Sequence, residues 1–416
     1  MNYFINKYKN STNKEICSIN LPSSKSESNR LLIMNALSGG KIDIENLSSA
    51  RDTQTLITLL KNENDLGTFD VLDAGTAMRF LTAYFAVSSK KEVILTGTDR
   101  MQKRPIGILV NALNSIGAEI SYENEEGFPP LRIKPFQKQT SSKISIPGNI
   151  SSQYISALLM IAPSLPKGLE IAIETPIFSK PYIDMTLGLM QLSGIQFSEK
   201  DSVISIKSQE YQKSTQKVES DWSASSYWFS IIAQSEVGKK VFLEGLKSKS
   251  FQGDNVIKEI AKDFGVSYKF EKTGLLLEKI NSDYNPLFKL DFKKCPDLAQ
   301  TVLPCAASLN VDLEITGLES LRIKETDRIL ALQNELSKFN CKLTEPEKGI
   351  WKLDSSNFTA NEGIEIETYE DHRMAMGFAT LALKTGIQIK EIEVVNKSYP
   401  SFWKDLKSFG FELIEQ

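Results

Sequence analysis

Short runs of alternating apolar and polar residues, rich in Ile, Val and Leu, recur along the chain, each followed by a polar turn and then by apolar residues at helical spacing. Six such segments begin at Ile42 (IDIENLSSARDTQTLITLL), Glu92 (EVILTGTDRMQKRPIGILVNAL), Leu169 (LEIAIETPIFSKPYIDMTLGLM), Val241 (VFLEGLKSKSFQGDNVIKEI), Leu313 (LEITGLESLRIKETDRILAL) and Ile392 (IEVVNKSYPSFWKDLKSFG). Their starts are separated by 50, 77, 72, 72 and 79 residues. Glycines at 117, 194, 265 and 410 close four of the helical patterns, and apolar stretches follow them, which predicts a helix stop feeding a strand.

Six strand–helix units predict an α/β or α+β fold built by duplication, three copies in each of two halves. A solenoid is the competing reading, but a period near 70 residues exceeds the 20–50 typical of solenoids. The polar stretch Ser208–Ser220 reads as the linker between the halves.

Composition narrows the class. With 41% hydrophobic and 24% charged residues the chain is ordinary globular material, and its 416 residues suit two or three domains. The net charge of −3 excludes a broad basic footprint for nucleic acid or an anionic membrane, yet permits a local cationic pocket. The first ten residues hold no signal-type apolar core, and no apolar run approaches the ~18–20 residues that span a bilayer, so a cytoplasmic protein is expected. Cys17, Cys295, Cys305 and Cys341 lack metal-site or redox spacing and read as buried thiols in a reducing compartment.

Arginine placement is the sharpest compositional clue. Only nine of the 49 basic residues are Arg, and none lies between Arg132 and Arg322. Arginine retained in so lysine-rich a chain suggests positions that need the planar fork to grip a carboxylate or phosphate. Taken singly, each reads equally as a surface ion-pair residue. Pro22-Ser23-Ser24-Lys25-Ser26 and Leu72-Asp73-Ala74-Gly75-Thr76 each open a helical pattern, where free N–H groups attract anions. Neither is a nucleotide-binding fingerprint, and a Ser-rich helix start is also an ordinary cap.

Acids beside those cations are the candidates for proton transfer. Asp297 sits at the start of an apolar helix, where an N-cap is the competing role, and Glu325 lies in the charged run Lys324-Glu325-Thr326-Asp327-Arg328. His372, the sole histidine, stands between Asp371 and Arg373, with a buried structural role as the alternative. No second His, zinc spacing or G-x-S-x-G elbow accompanies it.

Together these segments resemble the 5-enolpyruvylshikimate-3-phosphate synthases. The resemblance runs in order through Lys25-Ser26-x-Ser28-Asn29-Arg30, Ala74-Gly75-Thr76-Ala77-Met78-Arg79, Arg100-Met101-x-x-Arg104-Pro105-Ile106, Ser151-Ser152-Gln153 and Ser179-Lys180-Pro181-Tyr182. It continues through Pro296-Asp297, Lys324-Glu325-Thr326-Asp327-Arg328, Asp371-His372-Arg373-Met374 and Lys397-Ser398-Tyr399-Pro400. It implies two similar domains, each of three repeated strand–helix units, joined by a hinge that the chain crosses twice. Residues 1–21 and 220–416 would form the domain carrying both termini, and 22–219 the inserted one.

The family reaction moves the enolpyruvyl group of phosphoenolpyruvate to the 5-hydroxyl of shikimate 3-phosphate and releases phosphate. By that resemblance Lys25, Ser26, Arg30, Ser151, Ser152, Gln153, Ser179, Asp297 and Lys324 hold shikimate 3-phosphate. Phosphoenolpyruvate meets Lys25, Gly75, Arg104, Gln153, Arg328, Arg373 and Lys397. Asp297 is implied as the base, Glu325 as the proton carrier and Lys25 as a catalytic cation, with no metal or organic cofactor. Residues of both halves are implied to meet on domain closure, in a monomer that binds neither nucleic acid nor membrane.

Three positions depart from the family pattern: Asp73 where Asn is common, Phe80 where many members have Pro, and Ser320 where Asn often precedes the Lys-Glu motif. An acid at 73 opposes phosphoenolpyruvate unless a cation offsets it, and Phe80 bears on how the family inhibitor glyphosate is held. Two rivals remain: the sister transferase acting on UDP-N-acetylglucosamine, whose loop cysteine has no counterpart in Asp99–Pro105, and a non-catalytic anion-binding relative.

Overall fold

The computed structural model describes residues 1–9, 16–62, 67–149, 151–324 and 326–416. Its contacts divide it into two compact units, Ser23–Val218, and Met1–Pro22 together with Glu219–Gln416. Each has its own apolar core.

One strand pattern recurs through both. In the Ser23–Val218 unit, Thr68–Asp70 pairs parallel with Val93–Thr96, which pairs antiparallel with Leu131–Ile133, which in turn pairs with Ile120–Tyr122. Lys143–Pro147, Leu169–Glu174, Val203–Ile206 and Ser198–Lys200 repeat that order, and Ile42–Glu45 pairs parallel with Ser214–Lys217. In the other unit the parallel pairs are Cys17–Asn20 with Lys240–Glu244, Leu287–Asp291 with Asp312–Thr316, and Ile364–Ile366 with Ile387–Ile389. Each is extended by two antiparallel strands.

Parallel neighbours need a crossover, and a helix supplies it. The crossover helices are Gly75–Ser88, Ser152–Ile161, Trp222–Gln234, Ala299–Ser308 and His372–Ala379. They are apolar on nearly every side and almost wholly buried, which explains why the run from Ile155 to Ile161 carries no polar face. Each begins a few residues beyond the carboxyl end of a strand, the place where open α/β sheets present their ligand-binding loops.

The four glycine stops hold: Gly117, Gly194, Gly265 and Gly410 all have positive φ, which favours a residue without Cβ. Two local expectations do not hold. Ile392–Lys397 forms a 3-10 turn, and the strand expected there lies earlier, at Ile387–Ile389. The N–H of Ile392 donates to the carbonyl of Met1, and Val395 packs into the core, so tertiary contacts override the β-branched run. The division between the units, Val218/Glu219, lies within Ser208–Ser220, yet that stretch is not a free linker, because Ser214–Lys217 pairs with Ile42–Glu45 and Tyr211 is buried with its hydroxyl donating to the carbonyl of Met160.

Candidate active site

In the unit carrying both termini, the expected residues gather around Asp297. Pro296–Leu298 is one 3-10 turn, and the Ala299–Ser308 helix that follows has no side-chain cap. The aspartate is therefore not an N-cap. Its Oδ1 accepts from Nη1 of Arg328 at 2.9 Å, its Oδ2 from Nη2 of Arg373 at 3.0 Å, and Nζ of Lys324 lies 3.6 Å from Oδ1.

Both arginines begin helices, Arg328–Ser337 capped by Asp327 and His372–Ala379 capped by Asp371. Asp371 is fully buried and does more than cap. It accepts from Nε of Arg328 at 2.7 Å and from the backbone N–H of Arg373 at 2.9 Å, so one buried acid aims the Arg328 guanidinium and pins the helix start from which Arg373 projects. Nζ of Lys397 donates to the carbonyl of Glu370, the residue before it, at 3.3 Å. Tyr369 and Glu370 adopt left-handed φ values of 55° and 53°, a strain that places that carbonyl. His372 is buried, its Nδ1 3.8 Å from Asp371. Glu325 lies outside the described residues.

Asp254 joins this neighbourhood without any motif to announce it. It is buried, accepts from the hydroxyl of Ser223, and has its other oxygen buried without a hydrogen-bond partner among the described residues. Burial pushes its carboxyl up to about 6, the charge of Asp297 adds to that, and Arg373 opposes it.

In the Ser23–Val218 unit the helix starts carry the site. At Gly75 a Cβ would lie 2.5 Å from Nη1 of both Arg79 and Arg104, so glycine is what lets two guanidinium groups sit against that helix start. Arg79 donates to the carbonyl of Gly75 at 2.8 Å, and Nε of Arg104 is buried without a partner among the described residues. Gln153 Nε2 donates to Thr76 Oγ1 at 3.1 Å, which ties the two helix starts together. The hydroxyl of Tyr154 donates to the carbonyl of Pro105, fixing the Arg104 loop. Gly75, Arg104 and Gln153 thus come together, with Arg79, one turn along the Gly75–Ser88 helix, as an addition to the expected site residues.

Ser151 acts as a cap, its hydroxyl accepting from the N–H of Gln153, with Ser152 buried beside it. Ser179 is the left-handed residue that starts the Lys180–Leu192 helix. Lys25 heads the Lys25–Leu37 helix and pairs with Asp52 at 3.0 Å, while Ser24, not Ser26, caps that helix. Arg30 is 2% exposed and tied into the protein: Nε to Thr186 Oγ1, Nη1 to the Ser26 carbonyl, Nη2 to Ser156 Oγ. Burial lowers it to about 10. To hold an anion it must share donors already engaged, and nothing in its spacing foretold Thr186 and Ser156. Arg30, Arg328 and Arg373 are buried, and Arg104 is partly buried with its Nε out of solvent.

Asp73 has a cation: Nη2 of Arg51 lies 2.7 Å from its Oδ2. Phe80 is buried with its ring 5.4 Å from the Arg30 guanidinium, and Ser320 lies in the Glu319–Ile323 turn. No group of three or more His, Cys, Asp or Glu able to hold a metal occurs among the described residues.

A family profile described as EPSP synthase (3-phosphoshikimate 1-carboxyvinyltransferase) matches residues 65–406. A 3-phosphoshikimate 1-carboxyvinyltransferase of Bacteroides fragilis (strain YCH46) is 47% identical over 395 residues, covering 94% of this chain and 95% of that protein. Its counterpart in Pasteurella multocida (strain Pm70) is 34% identical over 419 residues, covering 92% and 93%. The solved EPSP synthase of Acinetobacter baumannii superposes with a TM-score of 0.79 over the full length of both chains at 20% identity, a likeness of fold. By sequence match and by fold, the chain belongs to the EPSP synthase (3-phosphoshikimate 1-carboxyvinyltransferase) family.

Proposed function

We propose that this protein transfers the enolpyruvyl group of phosphoenolpyruvate to the 5-hydroxyl of shikimate 3-phosphate, releasing phosphate. The observation that carries the reading is a carboxylate, Asp297, held between Arg328 and Arg373 with Lys324 beside it. Such a group can take a hydroxyl proton while neighbouring cations bind the anions of the reactants.

In this reading Glu325 donates a proton to C3 of phosphoenolpyruvate, leaving C2 cationic. The 5-hydroxyl oxygen bonds to C2 and gives its proton to Asp297, forming a tetrahedral ketal phosphate. Loss of a C3 proton and cleavage of the C2–phosphate bond then yield the enol ether. Positioning and charge stabilisation supply much of the acceleration, and each proton-transfer partner typically adds 10²–10⁴-fold. Lys25, Ser26, Arg30, Ser151, Ser152, Gln153, Ser179 and Lys324 hold shikimate 3-phosphate, and Lys25, Gly75, Arg104, Gln153, Arg328, Arg373 and Lys397 hold phosphoenolpyruvate. The domains are 1–21 with 220–416, and 22–219, in a cytoplasmic monomer.

The sister reaction on UDP-N-acetylglucosamine uses a reactive thiol. Here burial raises the thiols of Cys17, Cys295, Cys305 (to about 11) and Cys341 (to about 12), which suits inert packing. A coupled phosphate assay tests the choice. Phosphate is expected only when phosphoenolpyruvate and shikimate 3-phosphate are both present; equal release with UDP-N-acetylglucosamine, or none with shikimate 3-phosphate, overturns it.

A further inference from the structure

Arg51 and Asp52 open the Arg51–Lys61 helix and send opposite charges to two other helix starts of the Ser23–Val218 unit. Asp52 Oδ2 pairs with Lys25 Nζ at 3.0 Å, and Arg51 Nη2 pairs with Asp73 Oδ2 at 2.7 Å. The helix start is held in place: the N–H of Ser48 donates to Ser28 Oγ at 3.0 Å, and Thr53 Oγ1 donates to Asn29 Oδ1 at 2.8 Å.

The turn presenting Asp73 is fixed too. Leu72 stands at φ 54°, its N–H donating to Asp70 Oδ1 at 2.7 Å and its carbonyl accepting from the N–H of Thr98 at 3.0 Å. Asp73 lies two residues before Gly75, at the start of a helix that has no side-chain cap and whose Gly75 lies against the Arg79 and Arg104 guanidinium groups. A carboxylate here competes with an incoming anion for the same field of N–H groups and cations, the more so the less its charge is offset.

We propose that Arg51 is a specificity-determining residue for phosphoenolpyruvate: by cancelling the charge of Asp73 it keeps the Gly75 helix start receptive to that substrate. The inference rests on the reading that Gly75 and Arg104 hold phosphoenolpyruvate. Half-exposed ion pairs add little to fold stability, so the consequence falls on the ligand.

Steady-state kinetics of four variants test it. Arg51→Ala is expected to raise KM for phosphoenolpyruvate about three- to tenfold, less so at 0.5 M salt, with KM for shikimate 3-phosphate within about twofold. Asp73→Asn breaks the same ion pair, yet is expected to leave KM for phosphoenolpyruvate at or below that of the parent. Arg51→Ala/Asp73→Asn should match Asp73→Asn within about twofold. If both single variants raise KM, if neither moves it, or if Arg51→Ala raises both substrates' KM alike, the pair is structural and the proposal is overturned. Arg104→Ala separates the two levels: no rise in KM for phosphoenolpyruvate there overturns the underlying site reading, and the proposal with it.

Discussion

Arg328 grips Asp297 with Nη1 at 2.9 Å, and the same guanidinium binds Asp371 through Nε at 2.7 Å. Its fork spans two carboxylates, one fully buried and one at the edge of the site. Lysine, a single point charge, cannot make both contacts. Arg328→Lys is therefore expected to lower kcat/KM by at least about 100-fold, and Arg328→Ala to destabilise the fold by about 3–5 kcal/mol by stranding Asp371. A variant Arg328→Lys with parental kcat/KM would show that the double grip is dispensable.

Asp297→Asn keeps the shape of the side chain and removes its proton affinity. Turnover should fall about 10²–10⁴-fold, while substrate binding, measured by calorimetry, stays within an order of magnitude. Loss of binding in parallel with turnover would make Asp297 a ligand and not the base.

Gly75→Ala places a methyl where two guanidinium groups already sit at 2.5 Å. Because φ at Gly75 is ordinary, the helix accepts alanine, and the displaced groups are Arg79 and Arg104. KM for phosphoenolpyruvate is expected to rise at least about tenfold with little change in Tm. An unchanged KM would separate this helix start from the phosphoenolpyruvate contacts.

Asp254 gives a stability prediction with a definite sign. Its folded value of about 6 lies above the ~3.9 of an unfolded aspartate, so the folded state holds the proton longer. Its contribution is therefore unpenalised below pH ~3.9, declines as pH rises from there to about 6, and is flat above. Asp254→Asn should stabilise the protein relative to the parent by about 2–3 kcal/mol at pH 7.5, with no gain at pH 3.5. Denaturant melts at the two pH values measure this, and an equal effect at both would rule out the titration.

Lys279 is buried and donates to the carbonyls of Ala233 and Phe264 at 2.6 and 2.8 Å and to the Tyr284 hydroxyl. It serves the carboxyl ends of the Trp222–Gln234 and Ile257–Asp263 helices at once. Lys279→Met should cost about 2–4 kcal/mol by leaving those carbonyls unpaired. A neutral result in urea unfolding would mean other donors serve them.

The alternating runs and their glycine stops were enough to predict strand–helix units, because residue periodicity and positive φ act over a few positions. The motifs likewise carried Asp297, Lys324, Arg328 and Arg373, which the fold brings to one place. What the sequence could not show was which acid meets which cation. Asp371, Asp52 and Arg51 stand beside expected residues, yet their partners lie 22 to 43 positions away. The same holds for the Ile392 segment, whose β-branched residues became a turn once Met1 took its N–H. Local chemistry fixes what a side chain is able to bind, whereas burial and long-range pairing, set only when helices and sheets pack, decide what it does bind.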